Sequence, residues 1–267
     1  MSSEEEEYEY FKSAREYLDY FFSDLTGAKC PDEGEWMPWS MAQFHRTFSQ
    51  LEGTGFGRRL LDIGSGPTVY QLVSASRVFP EIICSDFHKG ALAEIKKWMD
   101  GNTHAFDWSP FVKHVTGLEA TSTSWECRQD QLRSAIKDTV LCDVFKPNPL
   151  HPAVFEPFNA IMTAYCLESA CYDKGRHAYA QAIRNISSLL KPGGHLILQT
   201  YIGVTYWVDK EGIKTQDSLC LDTDFVLTSL SEAGFTDLET SEYKTPQREK
   251  CHYSDIKGML HVTGRKI

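Results

Sequence analysis

Apolar positions along the chain change their spacing in a way that divides it into segments. Up to residue 50 the sequence is acidic, rich in aromatics and helical in period around Tyr10, Phe11, Tyr17, Leu18, Phe21 and Phe22, which predicts a helical cap over 1–50. The Glu4 to Glu7 run predicts a solvated, disordered tail over residues 1–8. From Gly57 onward, short apolar runs alternate with helical stretches. That alternation implies an α/β fold, a mostly parallel sheet with helices on both faces, over 51–267. Strands are predicted at 60–63, 82–86, 140–144, 158–163, 195–200 and 259–263, with helices at 91–99, 177–190 and 224–233. Lys191-Pro192-Gly193-Gly194 reads as the stop of the second of these helices. A polar segment dotted with tryptophan, 107–138, reads as a helical insertion, and 203–216, around Tyr206 and Trp207, as a lid hairpin.

The first strand runs straight into a turn: Leu60-Leu61-Asp62-Ile63-Gly64-Ser65-Gly66. Glycines one residue apart let the backbone double back and let a ligand approach the main chain. The next apolar strand ends on Asp86, where an acid at the end of the second strand of a βαβ unit would hold a ribose diol. A dinucleotide fingerprint needs a third glycine, but Val69 stands there, and Pro67 follows the second. With Asp62 beside the loop, this favours a ligand without phosphates, and S-adenosylmethionine suits it better than NAD. Gly64, Asp86, Asp143 and Glu168 all follow predicted strand ends, and the expectation is that they line one crevice.

Composition narrows the partners. The 267 residues, 42% hydrophobic, suffice for one full α/β core. A formal charge of −10 disfavours nucleic acid and anionic membranes and favours cationic small molecules. Eight cysteines are scattered singly, with no C-x-x-C pair, as expected of reduced thiols and not of a zinc site or disulfide framework. Neither a signal peptide nor a membrane-spanning stretch is visible, so a cytosolic monomer without metal is expected.

The stretch Leu61-Asp62-Ile63-Gly64-Ser65-Gly66-Pro67-Thr68-Val69-Tyr70-Gln71-Leu72 resembles the family of nicotinamide, phenylethanolamine and indolethylamine N-methyltransferases. Phe106-Asp107-Trp108-Ser109-Pro110, Cys142-Asp143-Val144, Cys166-Leu167-Glu168 and Leu189-Leu190-Lys191-Pro192-Gly193-Gly194-His195 extend the resemblance over about 17–266. It implies a Rossmann-like class I methyltransferase with a seven-stranded sheet, S-adenosylmethionine as donor and S-adenosylhomocysteine as product. Gly64, Ser65 and Thr68 would then meet the methionine part of the donor, with Tyr17, Phe22 and Tyr70 closing over it. Phe22 stands where the family usually has tyrosine, so a hydroxyl contact is lost. Asp86 would take the ribose, Phe87 and Val144 the adenine faces, and Asp143 the exocyclic amine. Ala164 would begin the wall towards the acceptor.

Acceptor positions match unevenly. Tyr165, Tyr206 and Trp207 would pack around the acceptor, Glu168 matches an acid near the reacting nitrogen, and Asp255 matches an acid that the phenylethanolamine enzymes use on substrate. Val204 replaces a further acid of those enzymes, and Thr200 replaces an aspartate of the nicotinamide enzymes. The resemblance therefore implies N-methylation of a small arylalkylamine of the phenylethylamine, phenylethanolamine or tryptamine type. Alternatives are nicotinamide, pyridine or thioether methylation, or a catalytically silent S-adenosylmethionine-binding module. Glu168 is the candidate general base, since an alkylamine is mostly protonated at neutral pH. Each residue also has a plainer reading: the aromatics as core, Glu168 as a helix cap, Asp255 as a solvated loop acid and His195 as structural.

Overall fold

A computed structural model of the chain describes residues 11–23, 25, 36–54, 57–208, 214–245 and 254–267. The tail expected over residues 1–8, the tip of the expected lid at 209–213, and Cys30 and Cys251 lie outside the described residues. The chain divides into two units, Met1–Leu141 and Cys142–Ile267.

In the first unit, α1 (Ala14–Phe21) starts on Ser13, whose hydroxyl accepts the Glu16 N–H at 3.2 Å, and it buries Ala14 and Leu18. Helix α2 (Trp36–Leu51) buries Met37, Met41, Phe44, Phe48 and Leu51, a stripe at helical spacing. Strand β1 (Arg59–Ile63) runs parallel to β2 (Glu81–Asp86), which runs parallel to β3 (Ile136–Leu141). The unbroken burial of Leu60 to Ile63 is what a parallel strand covered on both faces requires. Helices α3 (Lys89–Met99), α4 (Ser109–Leu118) and α5 (Trp125–Ala135) fill the connections.

The second unit holds β4 (Phe158–Ala164), a short α6 (Leu167–Ala170), α7 (Gly175–Ser187) and β5 (Leu190–Ile202). A small antiparallel pair follows, β6 (Tyr206–Val208) with β7 (Lys214–Asp217). Then come α8 (Thr223–Glu232), β8 (Phe235–Lys244) and β9 (Gly258–Lys266). Strand β5 is parallel to β4 and antiparallel to β9, which is antiparallel to β8. The strands of the main sheet take the order β3-β2-β1-β4-β5-β9-β8, seven in all.

The sheet departs from the sequence reading at both of its edges. Strand β3 covers Ile136–Leu141, not 140–144, and the apolar run that suggested the later position supplies Cys142 and Val144, buried from a loop. Strand β8 leaves no apolar pattern in the sequence because its burial is confined almost entirely to Phe235. An outermost strand has one neighbour and much solvent, so the apolar pattern that betrays inner strands fades there. Nor does Lys191-Pro192-Gly193-Gly194 lie outside a strand: α7 already ends at Ser187, and these residues form an irregular start to β5. There the pairing jumps from Phe158 opposite Leu190 to Ala160 opposite His195.

Candidate active site

Strand β1 ends at Ile63, and the chain turns at once through Gly64 and Gly66, whose φ values are +66° and +58°. A Cβ is disfavoured in that left-handed region, so glycine is a conformational requirement at both positions. Serines lock the turn to β2. The Ser65 N–H donates to the Ser85 carbonyl at 2.9 Å, and the Ser85 hydroxyl donates to the Asp62 carbonyl at 2.8 Å. Gln71, buried and given no role by the sequence reading, donates to Asp62 Oδ2 at 3.0 Å, while the Thr68 hydroxyl donates to the Ser65 carbonyl at 2.8 Å. Burial pushes Asp62 up to about 7 against the hydrogen bonds from Gln71 and Ser65.

Asp86 is nearly as buried, at 7% exposure, and its carboxylate bridges the turn and the next helix. Oδ2 accepts the Gly66 N–H and Oδ1 the His88 N–H, each at 2.8 Å. Burial raises it above the usual carboxylate range, opposed by those two N–H groups. Phe87 follows, 67% exposed. Phe22 is deeply packed, its ring centroid 5.6 Å from Tyr70, 5.5 Å from Trp108 and 5.9 Å from Tyr17. A ring held among other rings explains phenylalanine at this position, since a buried hydroxyl would need a partner there.

The second unit positions the remaining candidates. Asp143 lies in the turn after β3, accepting the Phe145 N–H at 3.0 Å and facing Lys146 Nζ at 3.7 Å. Next to it Val144 is buried, its carbonyl accepting the Asn185 side chain at 2.9 Å. Ala164 ends β4, and Tyr165 turns away from it at φ +55°, rare for a residue with a bulky side chain. The Tyr165 N–H donates to the Gln199 carbonyl at 2.9 Å, and its hydroxyl donates to Met259 Sδ at 3.4 Å. Its ring stacks on Tyr201 at 4.4 Å and 28°, and Tyr201 meets Trp207 edge-on at 5.1 Å. Tyr201, absent from the sequence reading, thus joins the expected aromatics; only its position near the end of β5 hinted at it.

Glu168 sits in the first turn of α6 and is 2% exposed. Its Oε1 accepts the Tyr201 N–H at 3.2 Å, so the side chain reaches β5 and does more than cap its own helix. Burial pushes it up to about 7, against donors from its own N–H, Tyr201 and the Thr200 hydroxyl. Asp255 is committed differently. Oδ1 accepts the N–H groups of Thr205 at 2.7 Å and Tyr206 at 3.3 Å, and Oδ2 accepts the Thr205 hydroxyl. Burial raises Asp255, but these hydrogen bonds outweigh it and hold the carboxyl below its usual value. A bridge between Trp207 and Ser254 adds to this anchorage of β6. Val204 is buried at 2% exposure. No described helix is long and apolar enough to cross a membrane.

A glycine turn after β1, an acid closing β2 and a seven-stranded sheet with its last strands antiparallel define the Rossmann-like class I methyltransferase fold. Solved structures agree: the glycopeptide N-methyltransferase MtfA in complex with S-adenosylmethionine aligns with a TM-score of 0.54 over 85% of this chain and 94% of its own, at 11% identity. The model of the NNMT/PNMT/TEMT family matches residues 1–267, and the chain belongs to that family. It is 33% identical over 261 residues to the indolethylamine N-methyltransferase of Oryctolagus cuniculus, covering 98% of this chain and 95% of that protein. Identity to the nicotinamide N-methyltransferase of Homo sapiens is 33% over 253 residues (95% and 92%), and to the human phenylethanolamine N-methyltransferase 31% over 256 residues (95% and 88%). The protein is an S-adenosylmethionine-dependent N-methyltransferase.

The first unit fits that donor chemically. Both Asp86 oxygens are fixed by backbone donors yet keep acceptor capacity for a diol, the loop lacks the third glycine of a pyrophosphate cradle, and the acids Asp62 and Asp86 suit a cation.

Proposed function

We propose that the protein methylates the nitrogen of a small arylalkylamine. The observation that carries this reading is Glu168: a buried carboxyl, raised to about 7, whose oxygen rests on the backbone of Tyr201 in the Tyr165–Tyr201–Trp207 aromatic series. Aromatic rings beside a carboxylate suit a ligand with an aromatic end and a cationic end.

S-adenosylmethionine supplies a methyl group on a sulfonium, open to in-line displacement by a lone pair. Gly64, Ser65, Thr68 and Asp86 of the first unit would hold it, with Phe87 against the adenine and Tyr17, Phe22 and Tyr70 excluding water. Ala164 begins the wall to the acceptor. Orientation of this kind is worth up to roughly 7–11 kcal/mol. An alkylammonium, with a pKa near 10, has no lone pair until a proton leaves, and Glu168 takes that proton. A base near 7 is well matched to neutral pH: ionised often enough to act, basic enough to accept. Tyr165, Tyr206 and Trp207 contact the acceptor, while Asp255 contributes by fixing residues 205–206, to which its oxygens are bonded. Buried, apolar Val204 offers nothing to a β-hydroxyl, so phenylethylamine and phenylethanolamine should react at similar rates.

The test is methyl uptake by tryptamine, phenylethylamine, phenylethanolamine, nicotinamide and dimethyl sulfide, repeated with Glu168→Gln. With an amine, kcat/KM of the variant should fall at least tenfold, towards the roughly 10²–10⁴-fold worth of a general base, and lose its pH dependence. Turnover of nicotinamide alone, indifferent to Glu168→Gln, would replace the amine reading with pyridine methylation, in which Glu168 orients an amide. Binding of the donor with no methylated product from any acceptor would point to a silent module.

A further inference from the structure

The glycine turn after β1 closes around one buried side chain. Gln71, 2% exposed, is the middle residue of the short helical turn Tyr70–Leu72, and its amide reaches back under the residues that precede it. Nε2 lies 3.0 Å from Asp62 Oδ2, 3.2 Å from the Thr68 carbonyl and 3.4 Å from the Ser65 carbonyl, so its two protons are shared among three acceptors. Oε1 lies 3.0 Å from the Thr68 hydroxyl, whose single proton also faces the Ser65 carbonyl at 2.8 Å. One amide thus ties together the acid inside β1, the middle of the turn and the exit from it. Packing alone does not ask for this, because methionine fills a similar space yet would offer no donor to Asp62, Ser65 or Thr68.

The same turn is fastened to the end of β2. The Ser65 N–H donates to the Ser85 carbonyl at 2.9 Å, the Ser85 N–H to Ser65 Oγ at 3.1 Å, and the Gly66 N–H to Asp86 Oδ2 at 2.8 Å. The aim of the Asp86 carboxylate therefore depends on where the turn holds Gly66. In a dinucleotide fingerprint a third glycine closes this corner by letting the next helix pack on the strand. Here fully buried Val69 stands at that position, and the Gln71 side chain spans the corner.

We propose that Gln71 is a positioning residue for S-adenosylmethionine: by drawing Asp62, Ser65 and Thr68 together it sets the turn, and through the Gly66 N–H it aims the Asp86 carboxylate at the ribose diol. The proposal rests on the reading of Asp86 as the acid that holds the diol, and it is independent of which acceptor is methylated. Without the amide the Ser65 and Thr68 carbonyls lose a tie, the turn relaxes, and the bond from Gly66 to Asp86 lengthens. Acting through the turn, Gln71 should govern donor binding and leave the chemical step alone.

The experiment compares Gln71→Met, Asp86→Ala and the double variant in the full chain. Calorimetry reads the Kd of S-adenosylmethionine and of S-adenosylhomocysteine, and NMR of the donor-free, glycine-labelled protein reads the Gly66 amide proton, assigned by its shift in Asp86→Ala. Gln71→Met should weaken both ligands by about 3–10-fold, move the Gly66 proton upfield, and leave kcat at saturating donor and the KM for amine unchanged. The double variant should bind within about twofold of Asp86→Ala alone, because no carboxylate is left to misplace. General loosening of the fold would instead add its cost in full, so additive losses overturn the proposal. Wild-type donor affinity or an unmoved Gly66 proton in Gln71→Met does the same. If Gln71→Met does not fold, Gln71→Asn, which keeps an amide but is one methylene shorter, takes its place with the same expectations. Unaltered donor affinity in Asp86→Ala by itself overturns the reading of the diol, whereas a clear loss there with none in the Gln71 variant overturns only the proposal.

Discussion

Asp86 in the first unit and Glu168 in the second are both buried carboxylates, one closing a strand and the other in the short helix after one, and the two are held in different ways. Asp86 is gripped by two backbone N–H groups at 2.8 Å, one of them from a glycine turn whose φ values admit little else. Glu168 is held from β5 by one N–H, at the longer distance of 3.2 Å. A site made of main chain is rigid and indifferent to most substitutions, which suits a donor common to a whole family. A site made of side chains can be retuned residue by residue, which suits an acceptor that differs among relatives named for nicotinamide, indolethylamine and phenylethanolamine.

The contrast has a thermodynamic side that a stability measurement can break. Glu168 is raised from 4.5 to about 7, so between those values the folded protein keeps a proton that the unfolded chain has released. Stability is therefore lost as pH rises from about 4.5 to about 7, and is level above and below. Glu168→Gln removes this loss: its unfolding free energy, from denaturant titration, should match the wild type at pH 4 and exceed it at pH 8 by on the order of 3 kcal/mol. A variant that is less stable at pH 8 would show that the carboxylate is a structural brace and not a strained functional group.

Asp86→Ala tests the other unit. Losing the carboxylate proposed to meet the donor diol should weaken S-adenosylmethionine binding by about 10–100-fold in calorimetry, the worth of charge-assisted hydrogen bonds, with the KM for amine little changed. Unaltered donor affinity would refute the role given to Asp86. The smallest effect expected is that of Tyr201→Ala, which removes one member of the aromatic series and should raise the KM for an aromatic amine by about 2–10-fold, with donor affinity unchanged. If it weakens the donor instead, the division of labour between the units is wrong.

The two units were also unequally legible. The turn at Gly64 and Gly66 and the acid at Asp86 could be read from residue order, because left-handed φ values and strand ends leave local signatures. Gln71 stood in the same motif, yet its bond to Asp62 gave no sign, being a matter of which side chains meet once the turn has formed. In the second unit the aromatic positions Tyr165 and Trp207 were visible and Tyr201 was not, since Tyr201 belongs with them only through the pairing of β4 and β5. Asp255 was visible as an acid but not as an anchor.

Residue order thus settled the features that arise within a few bonds: the glycine turn, the acids closing the inner strands and the alternation of strand and helix. Folding settled what depends on segments distant in sequence: which strands became the sheet's edges, that Asp255 grips residues 205–206, and that the Glu168 carboxyl meets the Tyr201 N–H. The reason is that backbone sterics act locally and leave a pattern along the chain, whereas hydrogen-bond partners and burial are fixed only when remote pieces pack and water leaves.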